Sequence, residues 1–470
     1  MSQNWKQIYQ KQRASKLSVS RSKFEPTGKR AISLPKLSDL RNLRLETSAG
    51  YRYILVSDVL QFFPTTYTHS IPWALHTKAV AKKNNKHGPE ALAGNNIDYW
   101  IRQGQSGQTI GIPIGPDTSH IVAETIGSEI DLHIRAALRR WPAGYRNVDD
   151  FFLCFQTFEE AEQALAAIVS ALSEFELHIN PDKTKILSIA DYVDEDWVHR
   201  LDQKEITNIH DSSDAQSIRE QKRQITELFE YVIELARQYD DESIIKYALK
   251  KTTSSIVREE NWKLYEAYIA RLATVYPNNL ETAALILITY HGMGYDVDRS
   301  VVERIVTTTI CQHAPLNHHS EVAWALWLAL EFQLQLPISA VRELGKTRSS
   351  ICTLLAFDLE DRGLLRRKLN KEYWRKQMTL DGLLGPHWLA TYQAARFGWL
   401  KHPPGLLSSE PFFAELDSKG IDFYDTSAHT DPLIRRRRLT AVEDLFGEDF
   451  DFSDSEFAYE ISDEMADYID

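Results

Sequence analysis

The stretch from Tyr145 to Phe155, YRNVDDFFLCF, sets two adjacent aspartates, Asp149 and Asp150, in a run that is otherwise mostly apolar and aromatic. Strand formers on both sides, Val148 and then Phe151 to Leu153, predict a hairpin with both acids at its tight turn, one carboxylate pointing to each face. Like charges this close raise one another's pKa unless a cation sits between them, and a bound metal is the simplest way to keep both ionised. A hard ion such as Mg²⁺ suits an all-oxygen site, and it takes only one or two protein carboxylates, which leaves room for phosphate oxygens. The plain alternative is an exposed β-turn, because aspartate is a common turn residue. The rest of the chain decides between the two.

Upstream, Tyr53 to Val59 has strand character and carries a lone acid, Asp58, near its end. Phe62, Phe63 and Pro64 should break that strand, and a helical pattern resumes around Ile71 to Ala81. Gly111 to Ser119, GIPIGPDTS, is a Gly/Pro-rich loop leading into an apolar-periodic helix from Ile121 to Leu138. Such a loop lets backbone approach a nucleotide or a nucleic-acid strand, although it lacks the lysine and the spacing of a Walker loop. After the aspartate pair, Glu159 to Leu177 has the period of an amphipathic helix, and HINPDKTKILSI reads as a turn into another strand. Strand, helix, loop and helix, hairpin, helix, strand is the order of an α+β domain on a split βαβ plan.

Four of these blocks, taken in order, resemble a known family. DVLQFFPTT is similar to motif A of reverse transcriptases, GIPIGPDTS to motif B, NVDD to motif C and INPDKTKI to motif D, with IADYVDEDWVHRL a loose match to the primer grip. The chain resembles a bacterial reverse transcriptase of the phage-defence or abortive-infection type, related to the retron and group II intron enzymes, over roughly residues 25 to 205. The resemblance implies a fingers and palm fold and an RNA-directed DNA polymerase. It implies that Asp58 and Asp149 coordinate two Mg²⁺ ions, with Mn²⁺ as a substitute, and that Asp150 supports the second ion or stays in its outer shell. By the same resemblance Phe63 is an aromatic gate against a ribose 2′-hydroxyl, favouring dNTPs. Val59, Gly115 and Ser119 would lie against the incoming nucleotide, and Lys183 would sit near the departing pyrophosphate as a general acid or charge stabiliser. The blander readings are a core phenylalanine and a solvated lysine. Two positions depart from the family: Asn147 replaces an aromatic two before the aspartate pair, and Ile114 replaces a glutamine before the motif B glycine. Both normally touch template or primer, so the resemblance implies intact chemistry with altered template handling. The implied partners are a template-primer of RNA or DNA, a non-coding RNA, a partner reverse transcriptase, and further subunits in a homo- or hetero-oligomer.

Charge separates the remaining regions. Residues 1–44 hold 11 Lys and Arg against Glu25 and Asp39, a basic arm of the kind a polyphosphate backbone attracts. Residues 441–470 hold 12 acids and no Lys or Arg, so the whole excess of −12 lies in this tail, alternating with Phe446, Phe450, Phe452, Phe457, Tyr459 and Tyr468. Arg435 to Arg438 stand just before it. The tail reads as a flexible polyanion with aromatic anchors or as a solubilising segment. Between lie the fingers and palm at residues 45–210 and an all-α, helical-repeat-like domain at 211–440, with its clearer helices at 218–239, 243–251, 262–275, 280–291, 301–313, 321–334 and 338–344. Such a domain stands in place of a thumb in abortive-infection reverse transcriptases, as a cradle for nucleic acid or subunits, or as support for the palm. Cys311, His313, His318 and His319 offer zinc-ligand types at a spacing that matches no standard site. Three cysteines fit a reducing cytoplasm, and no apolar run approaches membrane-spanning length. Two rival functions stay open: a catalytically silent polymerase fold acting as scaffold, and a helical-repeat nucleic-acid-binding subunit.

Overall fold

The structure, a computed structural model, describes residues 4–25, 31–33, 37–192, 197–207 and 215–430. The expected acidic tail, the four arginines before it and part of the primer-grip segment lie outside these residues. The described chain divides into two compact units, residues 4–192 and 197–430, so the division comes before the change of composition at about Asp211.

The first unit runs α1 (Trp5–Ala14), β1 (Lys23–Phe24), β2 (Ile32–Ser33), α2 (Leu37–Ser48), β3 (Tyr53–Ser57), α3 (Phe62–Thr65), α4 (Ser70–His76), α5 (Lys78–Lys83), α6 (Ala93–Gln103), α7 (Asp117–Leu138), β4 (Ala143–Asn147), β5 (Asp150–Phe155), α8 (Phe158–Ser173) and β6 (Lys185–Ser188). Strands β3 to β6 form one sheet in the order β4-β5-β3-β6, antiparallel throughout, while β1 and β2 pair apart from it. With α3 to α7 between β3 and β4 and α8 between β5 and β6, this is the β-α-β-β-α-β order of the split βαβ plan. The run FFLCF shows why β5 is central: Phe151, Leu153 and Phe155 join the core beside Ile126, Ile130 and Leu172, and the alternate Phe152 and Cys154 join a second cluster with Tyr145 and Leu40. Both faces are covered, so the strand has no polar alternation.

The described start of the N-terminal segment is packed against the first unit. Helix α1 packs on α7, where Lys11 Nζ meets Glu129 Oε2 at 2.6 Å and Gln12 Nε2 donates to the Ile121 carbonyl at 3.2 Å. Beyond it the chain lies along β4, with Arg146 N donating to Leu17 O at 2.8 Å and Val19 N to Arg146 O at 2.9 Å. Its basic side chains decorate a packed segment because Ile8 and Leu17 are buried.

The second unit is helical: α9 (Trp197–Asp202), α10 (Ala215–Tyr239), α11 (Ser243–Thr252), α12 (Glu259–Val275), α13 (Leu280–Gly292), α14 (Arg299–His313), α15 (His319–Glu331), α16 (Ile338–Leu344), α17 (Ser350–Asp361), α18 (Glu372–Lys376), α19 (Leu380–Leu384), α20 (Trp388–Arg396) and α21 (Pro411–Ser418). Helices α10, α12, α14 and α16 touch in succession, as do α11, α13, α15 and α17, which makes a two-layer stack. Two boundaries shift for local reasons. Helix α12 begins at Glu259 because two acids, polar and invisible to an apolar period, suit a helix N-terminus. Helix α15 stops at Glu331 because the chain turns through a left-handed Gln333 at φ 47°. Among the described residues no helix is long and apolar enough to cross a membrane.

Candidate active site

Strand β3 lies between β5 and β6, and its Ile54 and Leu55 are fully buried, so the chain leaving it has little freedom. Asp58 is the first residue past β3 and is itself only 5% exposed. Ser57 pairs with Phe151 across the ladder, so one further step in register sets Asp58 beside Asp150, with Asp149 in the turn that follows. Asp58 and the adjacent pair Asp149 and Asp150, far from it in sequence, thus come to one end of one sheet.

The hairpin differs from expectation in one respect. Asn147 pairs with Asp150, and the two-residue turn is Val148–Asp149, so only Asp149 lies in the turn while Asp150 opens β5. The turn thus lies one residue nearer the N-terminus than expected, which sets Arg146 opposite Phe151. Val148 pays with a left-handed backbone, φ 51°, a strained choice for a β-branched residue.

The segment before β6 is fastened to Asp58. Asn180 N donates to the Asp58 carbonyl at 2.7 Å, Leu60 N donates to His178 O at 2.9 Å, and Ser57 Oγ lies 3.0 Å from Thr184 Oγ1. The turn is braced internally by Asn180 Oδ1, which accepts from Asp182 N at 3.2 Å, and by Thr184 Oγ1, which donates to Asn180 O at 2.7 Å. Lys183 is delivered by this turn, its Nζ 3.4 Å from Asp58 Oδ2 and half exposed. A half-exposed ammonium thus pairs with the buried carboxylate. The donor set at this end of the sheet is carboxylate oxygen from Asp58, Asp149 and Asp150, which fits Mg²⁺ or Mn²⁺.

The Gly/Pro loop is hydrogen-bonded to the same region. Gly111 N donates to Thr66 O and Ile112 N to Phe63 O, each at 2.9 Å. Phe63 is half-buried, in edge contact with Phe62, so part of its ring faces outward. Gly115 has φ 106°, a conformation open to glycine and strained for other residues. Two expected residues are more enclosed: Val59 is 3% exposed in the core and bridges Ile179, and Ser119 is 4% exposed in the first turn of α7. Neither presents a side chain freely to a ligand.

One group of residues had no place in the sequence reading. Arg146 on β4 is 1% exposed, and its guanidinium bonds both oxygens of Asp131 at 3.0–3.1 Å, both oxygens of Glu124 at 3.1–3.2 Å, and the Val148 carbonyl at 2.6 Å. Ser15 Oγ donates to Asp131 at 2.6 Å, Ser18 Oγ donates to Glu124, and Ser20 Oγ donates to Glu124 at 2.9 Å while accepting from Val148 N at 2.7 Å. Both polar atoms of the Val148 peptide unit are therefore held, which keeps the strained turn in place. Burial works against the Arg146 charge, but Asp131 and Glu124 outweigh it and hold the guanidinium above its usual range. Burial pushes both carboxyls up; at Glu124 the arginine wins and the group lies below the ordinary carboxylate range, whereas at Asp131 burial wins. Gly127 makes room for this, since a Cβ there would fall 2.6 Å from Arg146 Cζ. The signal was present in the sequence: Glu124 and Asp131 stand seven apart on the apolar face of one helix, and acids so placed require a buried partner.

No protein-family model matches the chain, and no curated protein matches it. Among solved structures, telomerase from Candida albicans in complex with a TWJ fragment of telomeric RNA is a weak neighbour, 15% identical, with a TM-score of 0.27 over 69% of this chain and 55% of that one. The chain thus spans about half the length of that structure. A TM-score so low leaves the functional reading to rest on the site.

Proposed function

We propose that the chain is a nucleotidyltransferase of reverse-transcriptase type that adds dNTPs to a primer 3′-hydroxyl. The observation that carries the reading is the meeting of Asp58, Asp149 and Asp150 at one end of an antiparallel split βαβ sheet, beside a glycine loop and a half-exposed phenylalanine. Asp58 and Asp149 would hold two divalent ions, with Asp150 supporting the second. Mg²⁺ held there supplies a lowered pKa for the attacking hydroxyl and neutralises charge on the leaving pyrophosphate. Lys183 rides on a braced turn but is itself half exposed, so it is suited to leave Asp58 and meet a phosphate. The phage-defence setting, a non-coding RNA template, a partner polymerase and oligomeric assembly belong to the same proposal.

The test is incorporation of labelled dNTPs by the purified full-length chain with Mg²⁺ or Mn²⁺, without added template and then with RNA and DNA primer-templates, followed by sequencing of the product. Metal-dependent products support the reading. Tight RNA binding with no incorporation under any of these conditions overturns it in favour of a binding subunit, and neither activity favours a scaffold.

Sugar choice provides a narrower prediction. Removing the ring in Phe63→Ala takes away a steric wall and no ligand, so rNTP use should rise at least about tenfold relative to dNTP use, the size of a lost packing contact of 1–3 kcal/mol. The measurement is the ratio of kcat/KM for the two nucleotides. An unchanged ratio in a normally folded variant assigns Phe63 to the core beside Phe62.

A further inference from the structure

The turn between α14 and α15 brings together two imidazoles and a carboxylate that no role described so far uses. His313 ends α14, and His318 stands at the N-cap of α15. Their Nδ1 atoms face one another at 2.9 Å, and a carboxylate oxygen of Glu321 lies within 4.8 Å of a ring nitrogen of each. We infer that His313, His318 and Glu321 form a binding site for a divalent transition-metal ion of the Zn²⁺ class, in the helical unit and independent of the carboxylates of the first unit.

Three observations support this. The backbone presets the two histidines: His318 N donates to His313 O at 3.2 Å, Asn317 N donates to Ala314 O at 3.3 Å, and Asn317 takes a left-handed φ of 59°. The His318 side chain does not perform the usual work of an N-cap residue, since it makes no capping hydrogen bond and is turned to His313 instead. Lastly, the donor set is right for the metal. Two nitrogens and one carboxylate suit Zn²⁺, and at a Zn–N distance near 2.05 Å a tetrahedral ion holds its nitrogens about 3.4 Å apart, so the present pair need open only by a few tenths of an ångström. The C-terminus of α14 adds a favourable field for a cation. Three protein ligands leave a position for water or another ligand, and the two imidazole nitrogens, borderline donors, disfavour Mg²⁺.

The set differs from the one the sequence suggested. Among the described residues Cys311 packs against the hydrophobic core and the His319 carbonyl accepts from Cys352 Sγ at 3.3 Å, while Glu321, in the first turn of α15, joins the histidines.

The experiment uses the full-length chain stripped with a chelator and titrated with ZnCl₂ in excess Mg²⁺, against the double variant His313→Gln with His318→Gln and, separately, Glu321→Gln. A single Zn²⁺ should bind the native chain, raise its unfolding temperature, and be replaceable by Co²⁺ with the visible absorption of a four-coordinate ion. The double variant, checked by circular dichroism for native helix content, should lose affinity by about a hundredfold or more, and Glu321→Gln by a smaller factor. Equal stoichiometry and affinity in the native chain and the double variant would overturn the site, and so would a native chain that binds no Zn²⁺ in competition with Mg²⁺. Should the double variant misfold, the Co²⁺ spectrum of the native chain decides alone: a six-coordinate, water-like spectrum overturns the proposal.

Discussion

Asp149→Ala is expected to lower dNTP incorporation by about 10³-fold or more, because removing a ligand of the catalytic ions forfeits several kcal/mol of transition-state stabilisation. Asp58→Ala should lose as much, and Asp150→Ala less, since Asp150 is exposed at the start of β5. Initial rates at saturating Mg²⁺, with thermal unfolding of each variant alongside, make the comparison. Folding should hardly change in Asp58→Ala, because the lysine left behind is 55% exposed and can be solvated. Activity at the native level in either of the first two variants removes the metal-dependent reading altogether. Raising Mg²⁺ should not restore Asp149→Ala, as it would if the residue only tuned the affinity of an ion held by others.

The parts of this arrangement that could be read in the sequence are those where packing demands a recognisable pattern. FFLCF is apolar at every position because both faces of β5 are covered, and Tyr53 to Val56 is similar for the same reason. The long α7 shows its period because one face, through Ile126, Ile130 and Ile134, lies in the core. What could not be read depended on contacts between distant segments. Whether the turn falls at Val148–Asp149 or at Asp149–Asp150 changes which β4 residue lies opposite Phe151, Arg146 or Val148, without changing the face to which Phe151 points, so the apolar pattern of β5 does not choose between them. The N-terminal segment is marked in the sequence only by its basic residues, and nothing there shows that the serines between them, Ser15, Ser18 and Ser20, serve acids more than a hundred residues away. In the helical unit α17 to α21 fell within the expected all-α stretch but without bounds of their own, because several are a turn or two long and take their stability from neighbours, as Tyr392 does through its bond to the Ile421 carbonyl at 2.7 Å.

The buried arginine offers the second large effect and separates stability from positioning. Arg146→Met should destabilise the fold by about 3–5 kcal/mol, because it strands Glu124 and Asp131 without their cation in a dry interior. A shift of the denaturation midpoint at constant slope is the measurement. Arg146→Lys should recover little, since one ammonium cannot span both carboxylates and the Val148 carbonyl at once. Gly127→Ala should act in the same direction at about 1–3 kcal/mol, as the added methyl displaces the guanidinium. The decisive variant replaces all three charges together, Arg146→Met with Glu124→Leu and Asp131→Leu. Swapping a buried ion triad for apolar groups commonly restores stability, so this chain should fold nearly as well as the native one. Val148 would nevertheless lose its 2.6 Å donor, and Ser20 would lose the acid that orients it. The turn is then free to leave φ 51°, and Asp149 with it. Incorporation should therefore stay at least about tenfold down although stability has returned, with kcat affected more than the KM for dNTP, because a misplaced ligand weakens the transition state rather than substrate binding. Recovery of rate together with stability would make the triad a purely structural element and leave the posture of the hairpin to the sheet alone.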